Sequence, residues 1–109
     1  MWTTEQEAAA VALIEREMQT GIKNHGLFVD AHQGWAVILE EIEEAQEQME
    51  YMIVAVDAMK KAVQQDNDDI AYDLAHSIFT YAKKAMLESM QAAAMAEKYM
   101  ESFKEQEGD

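Results

Sequence analysis

Residues 30–65, DAHQGWAVILEEIEEAQEQMEYMIVAVDAMKKAVQQ, contain no proline and a single glycine, Gly34. Trp35, Ile38/Leu39, Ile42, Ala45, Met49, Met52/Ile53, Val56, Met59 and Val63 recur every three or four positions, the apolar stripe of a long amphipathic helix that buries one face. Asp30, with Gln33 three residues on, has capping-box spacing and starts that helix at residue 31; it runs to about residue 65. A second series alternates steps of four and three: Val37, Glu41, Glu44, Gln48, Tyr51, Ala55, Ala58 and Ala62. That alternation marks a contact seam, so the helix has neighbours on more than one side.

The flanking sequence follows the same chemistry. Asp66-Asn67-Asp68-Asp69 combines a turn with an acidic helix start, which suits the positive end of the helix dipole, and predicts a third helix over about 68–103. Ala71, Ala75, Ile78, Ala82, Ala85, Ser89, Ala92, Ala96, Tyr99 and Phe103 form one seam on it, and Ile70, Leu74, Ser77, Tyr81, Lys84, Glu88, Gln91 and Met95 form another. Upstream, Thr4 and Glu7 have capping-box spacing, and Val11, Ile14, Met18 and Ile22 give a first helix over about 4–20. Gly21 is expected to end it, with a loop over 21–29, and residues 104–109 are expected to fray. Alanine and methionine are abundant and no period-two run is bounded by turn residues, so strands are excluded. The expected fold is all-α: a single domain, 1–109, forming an antiparallel bundle of three to four long helices.

Three helices cannot cover that many apolar faces in one chain, which predicts a homodimer or homotetramer. The 22 acidic residues outnumber 8 basic ones for a net charge of −14, which argues against nucleic-acid polymers and anionic membrane surfaces as partners. The chain has no cysteine, so disulfides and thiolate metal sites are excluded, and a reducing, cytoplasmic setting fits. The start, MWTTEQE, lacks the basic region of a signal peptide, and the run AAAVALI is too short to span a bilayer.

The acidic residues carry the chemistry. Glu40, Glu41 and Glu44 form E-E-x-x-E, in which oxygens one turn apart can converge, and Glu88 lies on a seam of the third helix. Mg²⁺ takes hard oxygen ligands in octahedral array, and three glutamates from one helix with one from another would suit it. The plainer reading is a solvated acidic face, which helices of this composition often carry.

Two blocks go further. HQGWAVILEEIEEA (32–45) resembles the H-E-G-Y-A-V-I-x-E-E-x-x-E segment of short MazG-like proteins, and ESMQAAAMAEKYM (88–100) resembles their E-A-I-Q-V-A-A-M-A segment. These belong to the all-α nucleoside-triphosphate pyrophosphatase superfamily, many of them encoded in phage or bacterial genomes. The resemblance covers about a quarter of the chain, in the right order. It implies a dimeric or tetrameric helical fold in which E-E-x-x-E and a later E-x-x-D hold Mg²⁺, with Mn²⁺ as a substitute. A nucleoside triphosphate is then cleaved to monophosphate and pyrophosphate. On this pattern Glu40, Glu41, Glu44 and Glu88 are metal ligands, with Glu41 and Glu44 essential to turnover. Gln91 stands where the motif has aspartate, and Gln33 where the H-E-G block has glutamate. An amide can ligate Mg²⁺ through oxygen but brings no charge and cannot act as a base, so a weakened or inactive relative stays open.

Lys84, one turn before Glu88, reads either as its ion-pair partner or as a phosphate contact. His32 reads as a residue of the helix start or as part of a nucleotide site, and Trp35 as a core anchor or a platform for a base. The rival function is a noncatalytic helical assembly or adaptor protein, with phage origin compatible with either. A Glu88 lying more than about 10 Å from Glu40, Glu41 and Glu44 would rule out one shared Mg²⁺.

Overall fold

A computed structural model describes residues 1–108, with side chains through residue 104. It contains helices α1 (Thr4–His25), α2 (Ala31–Gln64) and α3 (Asp68–Gly108), and no strand occurs among the described residues. Contacts group the chain into two compact units, Met1–Glu41 with the segment from Ser89 onward, and Ile42–Glu88.

The second unit is an antiparallel helical hairpin, and its turn is written in Gln65-Asp66-Asn67. Asp66 adopts a left-handed φ of 56°, the position a glycine usually takes after a helix. Around it the Asn67 amide donates to the Ala62 carbonyl at 2.8 Å and the Asp66 amide to Val63 at 3.1 Å, which satisfies the last carbonyls of α2. Asn67 then caps α3, its Oδ1 accepting the Ile70 amide at 3.2 Å.

Between the two helices runs a three-four seam of residues that are buried or half-buried: Ala45, Gln48, Met52, Ala55, Met59 and Ala62 on α2, and Ala71, Leu74, Ile78, Tyr81, Ala85 and Glu88 on α3. This differs from the expected stripe on α2. Val56 and Val63 stay 53% and 54% exposed, whereas Ala55 and Ala62 are buried. The physical reason is separation: alanines let two helix backbones approach, and the larger residues beside them are left outside the contact. On α3 the inward line takes alternate members of the two expected seams, because a single facing helix lies between them.

In the first unit, α1 begins at Thr4 as expected, but its capping residue is one position earlier than the Thr4–Glu7 box. Thr3 is the N-cap, with the Gln6 amide donating to Thr3 Oγ1 at 3.1 Å and the Thr3 amide to Gln6 Oε1 at 2.8 Å. The helix also passes through Gly21, where a Cβ would come within 3.3 Å of the end of Met95, and stops at Gly26. There φ is 72° and ψ is −178°, a region open essentially to glycine alone. Phe28 anchors the following loop: it is buried, and its amide donates to Ser102 Oγ at 3.0 Å. Asp30 starts α2 as expected, its Oδ1 accepting the Gln33 amide at 2.8 Å, while Gln33 Oε1 accepts from Val29 at 2.7 Å. At its far end α3 continues to Gly108, past the expected stop at Phe103; Asp109 lies outside the described residues. None of the described helices is long and apolar enough to cross a membrane.

Gly34 is the tightest point of the first unit. A Cβ there would lie 2.5 Å from the Tyr99 ring and 3.1 Å from Phe28. Tyr99 itself packs on Phe103 at a ring separation of 4.8 Å, so it cannot swing away freely. Gly34→Ala should therefore destabilise the chain by about 1–3 kcal/mol, despite alanine's better helix propensity. Chemical denaturation of the two proteins checks this; an unchanged or raised midpoint would show that Tyr99 is not held.

Candidate functional site

The register of the hairpin in the second unit places Glu44 of α2 opposite Glu88 of α3. Their carboxyl groups share a hydrogen bond, which is the leading cause holding the Glu44 pKa above its ordinary 4.5; partial loss of water and the charges of Glu88 and Glu47 add to it. Glu41 stands one turn earlier on the same unbroken helix. Glu41 closes the α2 segment of the first unit, while Glu44 and Glu88 meet within the second. Glu41 and Glu88 are half-buried and Glu44 is exposed.

Two neighbours on the hairpin extend the polar character of this region. Gln48, one turn beyond Glu44, has its Oε1 buried with no hydrogen-bond donor among the described residues. Next on the helix, the Tyr51 hydroxyl donates to Glu47 at 2.7 Å, and its ring meets Tyr81 at 5.3 Å. Donation to Glu47 is the main reason the Tyr51 pKa lies above 10.0.

The other sequence candidates are placed differently. Glu40 is exposed. Gln91, in the first unit, donates from Nε2 to Glu17 at 2.7 Å. Lys84 is exposed and makes no ion pair among the described residues, so the expected pairing with Glu88 is not formed. His32 and Trp35 are exposed, with rings 5.7 Å apart. Trp35, expected as a core anchor, is 57% exposed, because the buried positions at this end of α2 are Gly34 and, at half burial, Val37 and Ile38.

The first unit also contains a cavity of about 520 Å³, within the range of small-molecule sites. Glu17, Asn24, Gln33, Glu41, Gln91 and Lys98 supply polar groups to its wall, and Phe28, Val37 and Met95 apolar ones. Glu17 and Lys98 escape a reading of the sequence. Glu17 sits in an acidic stretch with no motif, and Lys98 shows only as one cation within an alanine- and methionine-rich run.

Compared with protein-family models, curated proteins and solved structures, the chain matches none of them.

The Glu44–Glu88 contact has a pH signature. With its folded pKa raised, Glu44 binds more protons in the folded than in the unfolded chain at pH values above 4.5. Its contribution to stability therefore falls as pH rises through that window and is fully lost above the folded pKa. Glu44→Gln removes the titration. Thermal melts from neutral pH down to about 4.5 should show wild type gaining stability relative to the variant on acidification. Parallel pH profiles for the two proteins would mean that the carboxyl pair does not interact.

Proposed function

We propose that this protein is a Mg²⁺-dependent nucleotide pyrophosphohydrolase of MazG-like type, which cleaves a nucleoside triphosphate to a monophosphate and pyrophosphate. The observation that supports this reading most is the meeting of Glu88 with Glu44 across the helix pair of the second unit, far apart in sequence, with Glu41 one turn before Glu44 on α2. A solvated acidic face has no reason to gather like charges across a helix pair, since carboxylates brought together repel.

The donor set suits the ion. All three groups are hard oxygen donors, and the raised proton affinity of Glu44 reflects a crowding that a divalent cation relieves. The unsatisfied Gln48 oxygen, one turn from Glu44, is of the same hard type. When bound, Mg²⁺ supplies positive charge for the phosphates and lowers the pKa of a bound water. The protein's part is positioning: Glu41 and Glu44 are held at a fixed spacing by α2, and Glu88 is presented by the hairpin register. In the reaction, water adds to the α-phosphorus and gives up a proton to solvent, the bond to the bridging oxygen breaks, and pyrophosphate leaves with the electron pair.

The chain incubated with Mg²⁺ and a panel of standard and damaged nucleoside triphosphates should release pyrophosphate from at least one of them. Glu44→Gln and Glu88→Gln should lower that turnover by about 100-fold or more, in keeping with loss of charge at a metal ligand. Turnover that is undiminished in both variants would remove the carboxylates from the chemistry.

A noncatalytic assembly or adaptor role is favoured by one observation: Gln91, at the aspartate position of the motif, is engaged with Glu17. Absence of turnover across the whole panel, with a folded protein, would favour that role.

Association belongs to either reading. Within the second unit alone, Ile53, Val54, Val56, Tyr72, Phe79 and Met86 remain exposed, apolar surface of the kind that another copy of the chain would cover. A homodimer or homotetramer that pairs the long helices would cover it and bury more than about 1,000 Å². Light scattering at micromolar concentration should give a multiple of the chain mass of 12.4 kDa. A helical monomer would contradict the proposal.

A further inference from the structure

We propose that the cavity of the first unit is a phosphate subsite, with Lys98 as the cation that receives the phosphate of a small phosphorylated ligand. Lys98 is only 4% exposed, the one charged residue buried among those described. In a chain with 22 acidic residues against 8 basic ones, it makes no ion pair among the described residues. Its Nζ lies 4.3 Å from the centre of the Phe28 ring, which stabilises the charge from one side. An ammonium carries three N–H donors, however, and a buried charge is costly until anionic or strongly polar acceptors meet it.

Lys98 lines the 520 Å³ cavity, whose wall also carries the side-chain amides of Asn24 and Gln91. A phosphate has enough oxygens to accept from the ammonium and from amide donors at once, which a carboxylate does less well. Glu17 and Glu41 line the same cavity and would repel such a ligand. One Glu17 oxygen is engaged by the hydrogen bond from Gln91 at 2.7 Å. A divalent cation on Glu41 would offset the repulsion, and here the inference rests on the metal reading above. It adds to that reading the group that receives phosphate, in place of the exposed Lys84.

The test uses thermal stability of the full chain with inorganic pyrophosphate, with and without Mg²⁺, in wild type, Lys98→Met and Lys98→Arg. Lys98→Met keeps the length and apolar stem of the side chain and removes the charge. Wild type should show a saturable rise in melting temperature with pyrophosphate. Its apparent affinity should fall at least about thirtyfold in Lys98→Met and be largely kept in Lys98→Arg. Mg²⁺ alone should raise the melting temperature of wild type and Lys98→Met equally, beyond matched NaCl.

If pyrophosphate acts through Lys98 while Mg²⁺ has no effect, the metal reading fails and the phosphate subsite stands. If wild type does not respond to pyrophosphate, or Lys98→Met responds with the same affinity, the subsite is overturned. Should Lys98→Met fail to fold, the ¹⁵Nζ resonance of Lys98 in the wild-type protein decides: a saturable shift with pyrophosphate supports the subsite, and no shift overturns it.

Discussion

Close approach of two helix backbones across alanine is the constraint on which the second unit depends. Ala45, Ala55 and Ala62 on α2 and Ala71 and Ala85 on α3 are the buried residues of the hairpin, and none has more than a methyl group to place between the helices. A seam of small residues fixes the register of the pair as firmly as large ones do, because any slip would bring Met52, Ile78 or Tyr81 against a position that cannot hold it. The turn at residues 65–67 sets the same register from the other end, through the left-handed Asp66 and the Asn67 cap. From that register follows the meeting of Glu44 with Glu88.

The hairpin accordingly trades apolar burial for geometry. Most of its large side chains lie outside the seam, and the seam itself carries a glutamine with an unsatisfied oxygen and a glutamate paired with another carboxyl. A helix pair built only for stability would place leucine at these positions. Polar groups that lower stability within a packed seam are a mark of sites that bind or react, where local rules are broken for a use. The same pattern recurs separately in the first unit, whose buried set of Met18, Phe28, Gly34, Ala94 and Lys98 includes a charged residue.

Much of this was legible in the residues alone. Helix class followed from alanine-rich, proline-free segments with three-four periodicity, and the hairpin turn from Asp66-Asn67-Asp68-Asp69, in which Asn67 caps the next helix. The Asp30 cap was readable for the same reason: capping is a contact over three residues, and sequence records it directly. Glu41, Glu44 and Glu88 stood out because carboxylates on a contact seam require an explanation.

What only the tertiary structure decided is which of several equivalent periodic lines faces inward, and which polar groups meet across them. Periodicity gives the angle between residues on one helix but not the direction of the neighbouring helix, so Val56 and Ala55 were equally eligible and the alanine was chosen. Gly21 and Gly26 were both eligible to end α1, and packing of Gly21 beside Met95 carried the helix on to Gly26. Lys98 and Glu17 join a cavity wall through contacts with Phe28 and Gln91, seventy or more positions away, for which no local signal exists. Sequence determined the helices and the supply of charge, because those depend on neighbours along the chain; the sites depend on neighbours in space, and these were set by packing.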